Sequence, residues 1–259
     1  MLLKNLQIMA KVEDFFGTLN TVNEIQDERY SHLELLKRAI DAMANATYQS
    51  IYVIDYFKRE FLHVASNPLF LGGHTAEQMK KMGYQFYIDH VPEAEQAMLL
   101  EINTAGFKKF NSIPVEERNG YFISYDFHIV DGENSFLINH KMTPFALAED
   151  GRLWLSMCVV SLSSHSEPGH IELRKKGAAS YWEYSLDYHR WITRETVKLR
   201  PQERQVLILS AQGFTVAQIA DKMNRSIDTI KTYKRVMFER LGTRSITEAL
   251  TLATNSGLI

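Results

Sequence analysis

The chain has 259 residues but only one cysteine, Cys158. A single cysteine excludes an intrachain disulfide and any cysteine-rich zinc site. Because Cys158 lies within the apolar run 153–162, we expect an inert thiol in the core. The sequence also lacks an apolar stretch of roughly 18 residues or more and an uninterrupted hydrophobic segment near its start. These absences predict a cytoplasmic protein without membrane contact.

Motifs of catalysis are missing as well. The sequence has no glycine-rich phosphate loop, no H-E-x-x-H, no G-x-S-x-G and no kinase or phosphatase pattern. Its histidines are scattered without the spacing of metal ligands, so we expect no metal site. The alternating strands and helices of a phosphoacceptor receiver domain are also absent. The chain is therefore predicted not to be an enzyme.

The charge of the chain is unevenly distributed. The whole sequence carries 29 Lys and Arg against 31 Asp and Glu, a net charge of −2. Residues 199–259 contain nine basic and five acidic residues, which makes this segment +4 and the preceding 198 residues −6. Such asymmetry indicates that contact with nucleic acid falls at the C-terminal end. The length, with 45% hydrophobic residues, predicts two domains.

The basic segment predicts four short helices. Its start and end signals, in chain order, are Pro201, Gly213, the capping box of Thr215 and Gln218, Ser226, and Gly242. These signals place helices at about 201–211, from Thr215, and from Ser226 to Gly242, with a fourth at 247–254. Two short helices joined by a tight turn, the second one basic near its start, are typical of a helix-turn-helix.

This segment closely resembles the LuxR-type (NarL/GerE) DNA-binding domain. The matching residues are Leu199, Glu203, Val206, Leu207, Leu209, Ala211, Gly213, Thr215, Ile219, Ala220, Ser226, Thr229, Ile230, Lys231, Leu241, Gly242, Thr247, Glu248 and Ala249. The resemblance covers about a fifth of the chain. It implies an all-α four-helix domain over 199–259 whose third helix enters the major groove of double-stranded DNA.

The resemblance also implies which side chains meet DNA. Lys231, Thr232 and Arg235 correspond to positions that touch base edges. The full predicted DNA-binding set is Thr215, Ser226, Thr229, Lys231, Thr232, Tyr233, Lys234 and Arg235. One four-helix module buries too little DNA surface for tight specific binding, so we expect a homodimer.

The acidic part of the chain predicts a mixture of strands and helices. Strand patterns cover 50–57, 60–65, 121–130, 136–145 and 153–162, and helical patterns cover 30–47 and 92–110. Two strands, several helices and three antiparallel strands resemble a PAS domain over 30–163. The residues that carry this resemblance are Ser66, Asn67, Phe70, Gly73, Thr75, Glu77 and Met79. The predicted fold is therefore α+β: a PAS-like antiparallel five-stranded sheet with helices, a short β meander, and the helix-turn-helix domain. Within the PAS-like domain, Asn67 and Thr75 are expected to cap helices and Phe70 to fill the core.

A PAS resemblance implies a bound small molecule or a dimerisation surface. The candidate pocket residues are Tyr52, Tyr56, Phe57, Phe70, Phe86, Tyr87, His90, Phe107, Phe110 and Tyr125. The same aromatic residues equally fit a filled core. No cofactor is evident: Cys158 falls in the last strand, where it does not suit a flavin photosensor, and His90 alone is a weak candidate for a haem ligand.

Two further segments complete the chain. Residues 164–198 alternate aromatic and polar positions, with turns at 176–179 and 187–189, and predict a β-rich connector in the form of a small meander. Residues 1–29 predict an N-terminal helical arm that either packs locally or supports dimerisation. Together these features predict a one-component, sequence-specific transcription regulator with a sensor domain. The alternatives are an acyl-homoserine-lactone receptor of the quorum-sensing type, or a PAS protein-interaction adaptor.

Overall fold

The computed structural model describes residues 10–67 and 70–259, which form two compact units, one up to Arg194 and one from Glu195. Within this described part, no helix has both the length and the apolar character required to cross a bilayer. The N-terminal end of the predicted arm, residues 1–9, lies outside the described residues, as does the start of the short helix predicted after Asn67.

The first unit is built on one antiparallel sheet. Its strands are β1 (Ser50–Asp55), β2 (Glu60–Val64), β3 (Tyr121–Asp131), β4 (Asn134–Leu147), β5 (Leu153–Leu162), β6 (Gly169–Lys175), β7 (Ser180–Ser185) and β8 (Arg190–Glu195). The strands pair in the order β2-β1-β5-β4-β3-β6-β7-β8. The predicted five-stranded sheet is therefore wrong in its strand number, because the meander joins the sheet instead of forming a separate element.

Register explains how the meander extends the sheet. Ile123 in β3 lies opposite Leu173 in β6, and Leu173 in turn lies opposite Trp182 in β7. β3 also pairs with β4 on its other side, where Phe127 faces Ile138. The edge of β3 that a five-stranded sheet would leave open is thus covered by β6, which removes an exposed ladder of backbone groups.

Helices lie between β2 and β3 and ahead of β1. They are α1 (Leu33–Thr47), α2 (Ala76–Met82), α3 (Gln85–His90) and α4 (Glu93–Asn111). Thr75 caps α2 as predicted, its hydroxyl accepting a hydrogen bond from the amide of Gln78 at 3.2 Å. Phe70 is buried, again as predicted. Strands and helices share one apolar core, in which Phe61, Phe86 and Phe127 are fully enclosed.

The described part of the arm and the meander both pack against α4. Phe15 and Val22 are buried in the core, and the backbone carbonyl of Phe15 accepts a hydrogen bond from Asn103. On the meander, the Tyr184 hydroxyl donates to Glu101 at 2.8 Å and the Trp191 indole donates to the Ala105 carbonyl at 3.3 Å. The aromatic residues of the connector therefore hold it against α4.

The second unit consists of four helices, α5 (Pro201–Ala211), α6 (Val216–Met223), α7 (Ile227–Leu241) and α8 (Ile246–Asn255). The predicted boundaries agree with these within a residue or two. Thr215 and Ser226 are the N-caps of α6 and α7, and Gly242 ends α7 in the left-handed conformation with φ of 67°. Its apolar interior is small and includes Leu207, Met237 and Ala249, all fully buried.

Candidate DNA-binding surface and candidate ligand cavity

The turn between α6 and α7 fixes where α7 begins. Asn224 ends α6 in the left-handed conformation with φ of 51°, a region that asparagine tolerates better than most residues. The amide of Arg225 then donates to the Ala220 carbonyl at 2.9 Å and closes the turn. The next residue, Ser226, accepts a hydrogen bond from the amide of Thr229 at 3.2 Å, which starts α7.

Packing decides which face of α7 is free. Ile230 and Met237 are fully buried against the other helices. Lys231, Thr232 and Arg235, the predicted base-reading residues, lie together on the exposed side of the helix. We call these three side chains the α7 surface. Their position follows from the helical repeat of about 100° per residue, because Lys231, Thr232 and Arg235 are rotated by about 100°, 200° and 140° from the buried Ile230.

The other predicted DNA-binding residues divide into two groups. Thr215 and Ser226 are exposed, but both hydroxyls are occupied as helix caps. Thr229, Tyr233 and Lys234 are half-buried, and Tyr233 packs against the apolar cluster around Val206 and Ile230. A groove beside the α7 surface is lined by Lys231, Lys234, Arg235 and Arg244. Sequence reasoning omitted Arg244, although a basic residue two positions after the helix-ending glycine was available as a signal.

Two acidic side chains moderate the charge of the α7 surface. Arg235 pairs with Glu239 at 2.7 Å, and Lys231 lies 3.6 Å from Asp228. All four side chains are more than half exposed. Exposed pairs of this kind contribute about 0 to 1 kcal/mol, so phosphate or base acceptors can replace the carboxylates at little cost.

An ion pair between a buried carboxylate and a half-buried guanidinium connects α5 to α7. Glu203 is 1% exposed, and its carboxylate lies 3.3 Å from Nε of Arg240. The same oxygen, Oε2, accepts a hydrogen bond from the amide of Arg200 at 2.9 Å, which caps α5, while Oε1 accepts one from the Arg240 guanidinium at 3.3 Å. One side chain therefore fixes both the start of α5 and its contact with the C-terminal half of α7.

The first unit contains an internal cavity of about 60 Å³. Five of the predicted pocket residues line it, namely Tyr56, Tyr87, Phe107, Phe110 and Tyr125. The other five predicted residues, Tyr52, Phe57, Phe70, Phe86 and His90, do not line it. Further lining residues that the sequence did not indicate include Ile102, Asn103 and Gly106 of α4.

Hydroxyl groups give the cavity its polar character. Burial raises the pKa of Tyr87 and Tyr125 well above the ordinary value of 10, so both remain protonated donors. The Tyr56 hydroxyl donates to Sδ of Met142 at 3.3 Å. Within the described residues, the Tyr125 hydroxyl makes no hydrogen bond to another protein group. Its O–H donor is therefore not used by the protein itself.

A buried polar chain extends from the cavity wall. The hydroxyl of Tyr87 contacts that of Tyr52, and the Tyr52 hydroxyl lies 2.5 Å from Nε2 of His140. Burial lowers the pKa of His140 to about 3, so its ring is neutral at pH 7. Cys158 is fully buried in the core, as expected, and burial raises the pKa of its thiol to about 12, so it stays protonated at neutral pH.

His90 has a structural environment. Its Nδ1 donates to the carbonyl of Val130 at 2.8 Å, since a carbonyl can only accept. Its other nitrogen, Nε2, lies 3.0 Å from Nε2 of His74, and the ring stacks on Phe86. With one nitrogen committed to the backbone and the other to a second histidine, His90 is hydrogen-bonded within the fold.

Comparison with known proteins identifies the second unit. The model of the luxR family of bacterial regulatory proteins (GerE) matches residues 197–253. The C-terminal unit is therefore a LuxR-type helix-turn-helix domain, as predicted. Over 45 residues the chain is 49% identical to the transcriptional regulatory protein RcsB of Escherichia coli strain K12, and over 57 residues it is 32% identical to the transcriptional activator BglJ of the same strain.

Both relatives are named as transcription regulators, but the matches are short. The match to RcsB covers 17% of this chain and 21% of RcsB, and that to BglJ covers 22% and 25%. Among solved structures, the VqmA dimer of Vibrio cholerae, described as a LuxR-type receptor, aligns over 91% of this chain and 89% of its own at 18% identity. The TM-score of 0.32 is too low for this likeness to support any argument about fold or function.

Proposed function

We propose that the protein is a transcription regulator that binds double-stranded DNA through α7. The observation that carries this proposal is the α7 surface, where two cationic side chains and a threonine stand exposed on the second helix of a helix-turn-helix. In this geometry the recognition helix lies in the major groove and its exposed side chains reach base edges. Lys231 and Arg235 suit guanine, whose O6 and N7 accept hydrogen bonds from both residue types.

The two kinds of DNA contact are separable by experiment. Replacing Lys231 or Arg235 by Ala is expected to relax base preference and to cost about 1 to 3 kcal/mol on the preferred site. Replacing Lys234, a proposed phosphate contact, is expected to weaken binding to all sequences alike and to lower the salt slope by roughly one unit. Fluorescence anisotropy with selected and scrambled duplexes at several salt concentrations measures both effects.

Two results would contradict the proposed DNA contacts. If the selected DNA sequences stay the same in the Lys231→Ala and Arg235→Ala proteins, the α7 surface does not read bases. If the unmodified protein binds no duplex even at low salt, the proposal of DNA binding itself fails. Far-UV circular dichroism on each variant shows that the helices remain folded.

We further propose that the first unit is a PAS-like sensor that takes a small, largely apolar molecule into its cavity. Two strands, four intervening or preceding helices and three antiparallel strands in the order β2-β1-β5-β4-β3 support the PAS assignment. The cavity wall supports the binding role, because it is mostly aromatic and aliphatic while the Tyr125 hydroxyl supplies a free donor. Native mass spectrometry of the protein purified without added ligand tests for a bound molecule.

A homodimer completes the proposed function. One helix-turn-helix module contacts a single half-site, whereas two modules double the DNA surface buried and match a repeated operator. Multi-angle light scattering of the protein with and without a duplex determines its mass. If the complex with the preferred duplex has the mass of one chain, the proposed homodimer is wrong, but the assignment of the α7 surface is unaffected.

A further inference from the structure

Three side chains on one side of the sheet converge outside the cavity. Asp126 of β3, His165 in the β5–β6 loop and His170 of β6 each place one ligand atom within 4.8 Å of the others. The Asp126 carboxylate is fully buried, whereas both imidazoles are exposed. The cluster therefore has a buried carboxylate on its inner side and two solvent-accessible imidazoles on its outer side.

Contrary to the sequence-based expectation of no metal site, we propose that Asp126, His165 and His170, which the fold brings together, bind a divalent transition-metal cation of the zinc type. Two imidazole nitrogens and one carboxylate oxygen are ligands that Zn²⁺, Ni²⁺, Cu²⁺ and Fe²⁺ share. Three protein ligands leave at least one coordination position for water or another group.

Hydrogen bonds from neighbouring residues orient the buried carboxylate of Asp126. Oδ1 of Asp126 accepts a hydrogen bond from the amide of Asn139 at 2.7 Å, and the same amide donates to Ser124 at 2.9 Å. Oδ2 of Asp126 faces the ring of His165, with an Nδ1–Oδ2 distance of 2.5 Å. Hydrogen bonds of this kind behind a metal ligand hold it in place and tune its affinity.

The two imidazoles are placed as a pair. Their rings are nearly parallel, at 11°, with centroids 3.6 Å apart. This stacking holds the ligand atoms of both rings beside the Asp126 carboxylate. Within residues 10–67 and 70–259, neither ring nitrogen of His170 has a hydrogen-bond partner. Both ring nitrogens of His170 are thus available to a metal.

The backbone directs His170 to this place. The pairing of β3 with β6 shifts register between Ser124 and Asp126, where Asp126 lies opposite Gly169. His170 follows Gly169 with φ of 50°, in the left-handed region that non-glycine residues occupy infrequently. A bulge of this kind turns a side chain away from the regular alternation of the strand, and here it brings His170 over Asp126.

Metal loading requires only a local adjustment. Bonds of about 2.0–2.1 Å at a tetrahedral angle separate two ligand atoms by about 3.3 Å. His165 must therefore move away from Asp126 by about 0.8 Å, and one ring must turn so that the two lone pairs converge. His165 lies in an exposed loop of bends between β5 and β6, where such a movement costs little.

Titration of the full-length chain without a histidine tag tests the proposal. With Zn²⁺ as the probe, isothermal titration calorimetry is expected to show one site per chain. His165→Ala and His170→Ala each weaken binding by more than about tenfold, the smallest loss expected even for an outer-shell partner. Asn139→Ala, which removes the group behind the carboxylate, weakens binding by about 10–100-fold.

The matched control is His63→Ala. Nε2 of His63 lies 2.7 Å from Oδ1 of Asp41, so this pair repeats the histidine–carboxylate contact without a second histidine. Its removal leaves Zn²⁺ binding unchanged. A visible absorption band with Co²⁺ that disappears in the His170→Ala protein gives an independent reading, because it reports coordination by the protein directly.

Several results overturn the proposal. The absence of Zn²⁺ binding to the unmodified chain refutes it, as does binding that survives undiminished in both His165→Ala and His170→Ala. An equal loss in His63→Ala means adventitious surface binding. Both ligand histidines are exposed, so their removal should preserve the fold, and circular dichroism of each metal-free variant verifies this. If either alanine variant is misfolded, the glutamine variant at the same position serves for the titration.

Discussion

The hydroxyl of Tyr52 lies 2.5 Å from Nε2 of His140 inside the core of the first unit. Burial lowers the pKa of His140 from 6.5 to about 3 in the folded chain. Between these two values the unfolded chain binds a proton that the folded chain does not. The free energy of unfolding should therefore decrease as the pH falls from about 6.5 toward 3.

Replacing His140 by Phe removes this proton linkage. The pH dependence of stability between pH 6 and pH 4 is expected to become shallower by as much as about 1.4 kcal/mol per pH unit. Urea unfolding followed by tryptophan fluorescence measures it, because all three tryptophans lie in the first unit. The control is Val160→Ala, at the position paired with His140. It should lower stability without changing the slope, and equal slopes in all three proteins would contradict the prediction.

Breaking the buried pair between Glu203 and Arg240 should destabilise the second unit. Arg240→Met keeps the length of the side chain but leaves the Glu203 carboxylate without its cation, at a cost of about 1 to 3 kcal/mol. Unfolding followed by far-UV circular dichroism measures the loss. The double variant Glu203→Gln with Arg240→Met should recover part of it, since no buried charge remains. A loss in the double variant equal to the sum of the losses in Glu203→Gln and Arg240→Met alone would show that the pair is not coupled.

Removing the carboxylate beside Arg235 should strengthen DNA binding. Glu239→Gln frees Arg235 from its 2.7 Å ion pair and adds one positive charge to the α7 surface. Because an exposed pair is worth about 1 kcal/mol at most, the gain is limited to roughly fivefold. Asp221→Asn makes the same charge change on α6, at an exposed position outside α7. Anisotropy titrations that show the same gain in both variants would assign the effect to net charge alone.

Filling the cavity should abolish retention of a ligand. Gly106 lies on α4 in the cavity wall, and a Cβ there would approach only the terminal methyl of Ile123, at 3.1 Å. Gly106→Leu therefore places a side chain in the space of about 60 Å³ and also removes a glycine from a helix interior. Native mass spectrometry is expected to lose any co-purifying mass in Gly106→Leu and to keep it in Thr104→Leu, an exposed position on the same helix. Retention by both variants would place the ligand elsewhere.

The second unit could be predicted almost completely because local signals determine its boundaries. Pro201, Thr215, Ser226 and Gly242 each act on the backbone within a turn, and the helices begin or end where these residues stand. The free face of α7 also follows from sequence, since the buried positions of a helix fix its exposed ones. The buried contact of Glu203 with Arg240 was not predictable, because it joins residues 37 positions apart.

The first unit was predictable in its strands but not in its pairing. Residues 164–198 show the alternation of a meander, yet nothing local states that β6 pairs with β3. The sequence also did not distinguish core aromatic residues from cavity-lining ones. Phe70 and Phe86 fill the core while Tyr125 and Phe107 line the cavity, although all four are aromatic residues in similar patterns. Asp126 and His165, 39 positions apart, meet only through the sheet.

The buried thiol of Cys158 has a practical consequence. It is the only cysteine of the chain, it is enclosed in the core, and its raised pKa keeps it out of the reactive thiolate form. A cysteine introduced at an exposed position therefore becomes the sole site for a spin label or a fluorophore. Probes placed one at a time along α7 can record how the helix meets a duplex, with no native cysteine to remove beforehand.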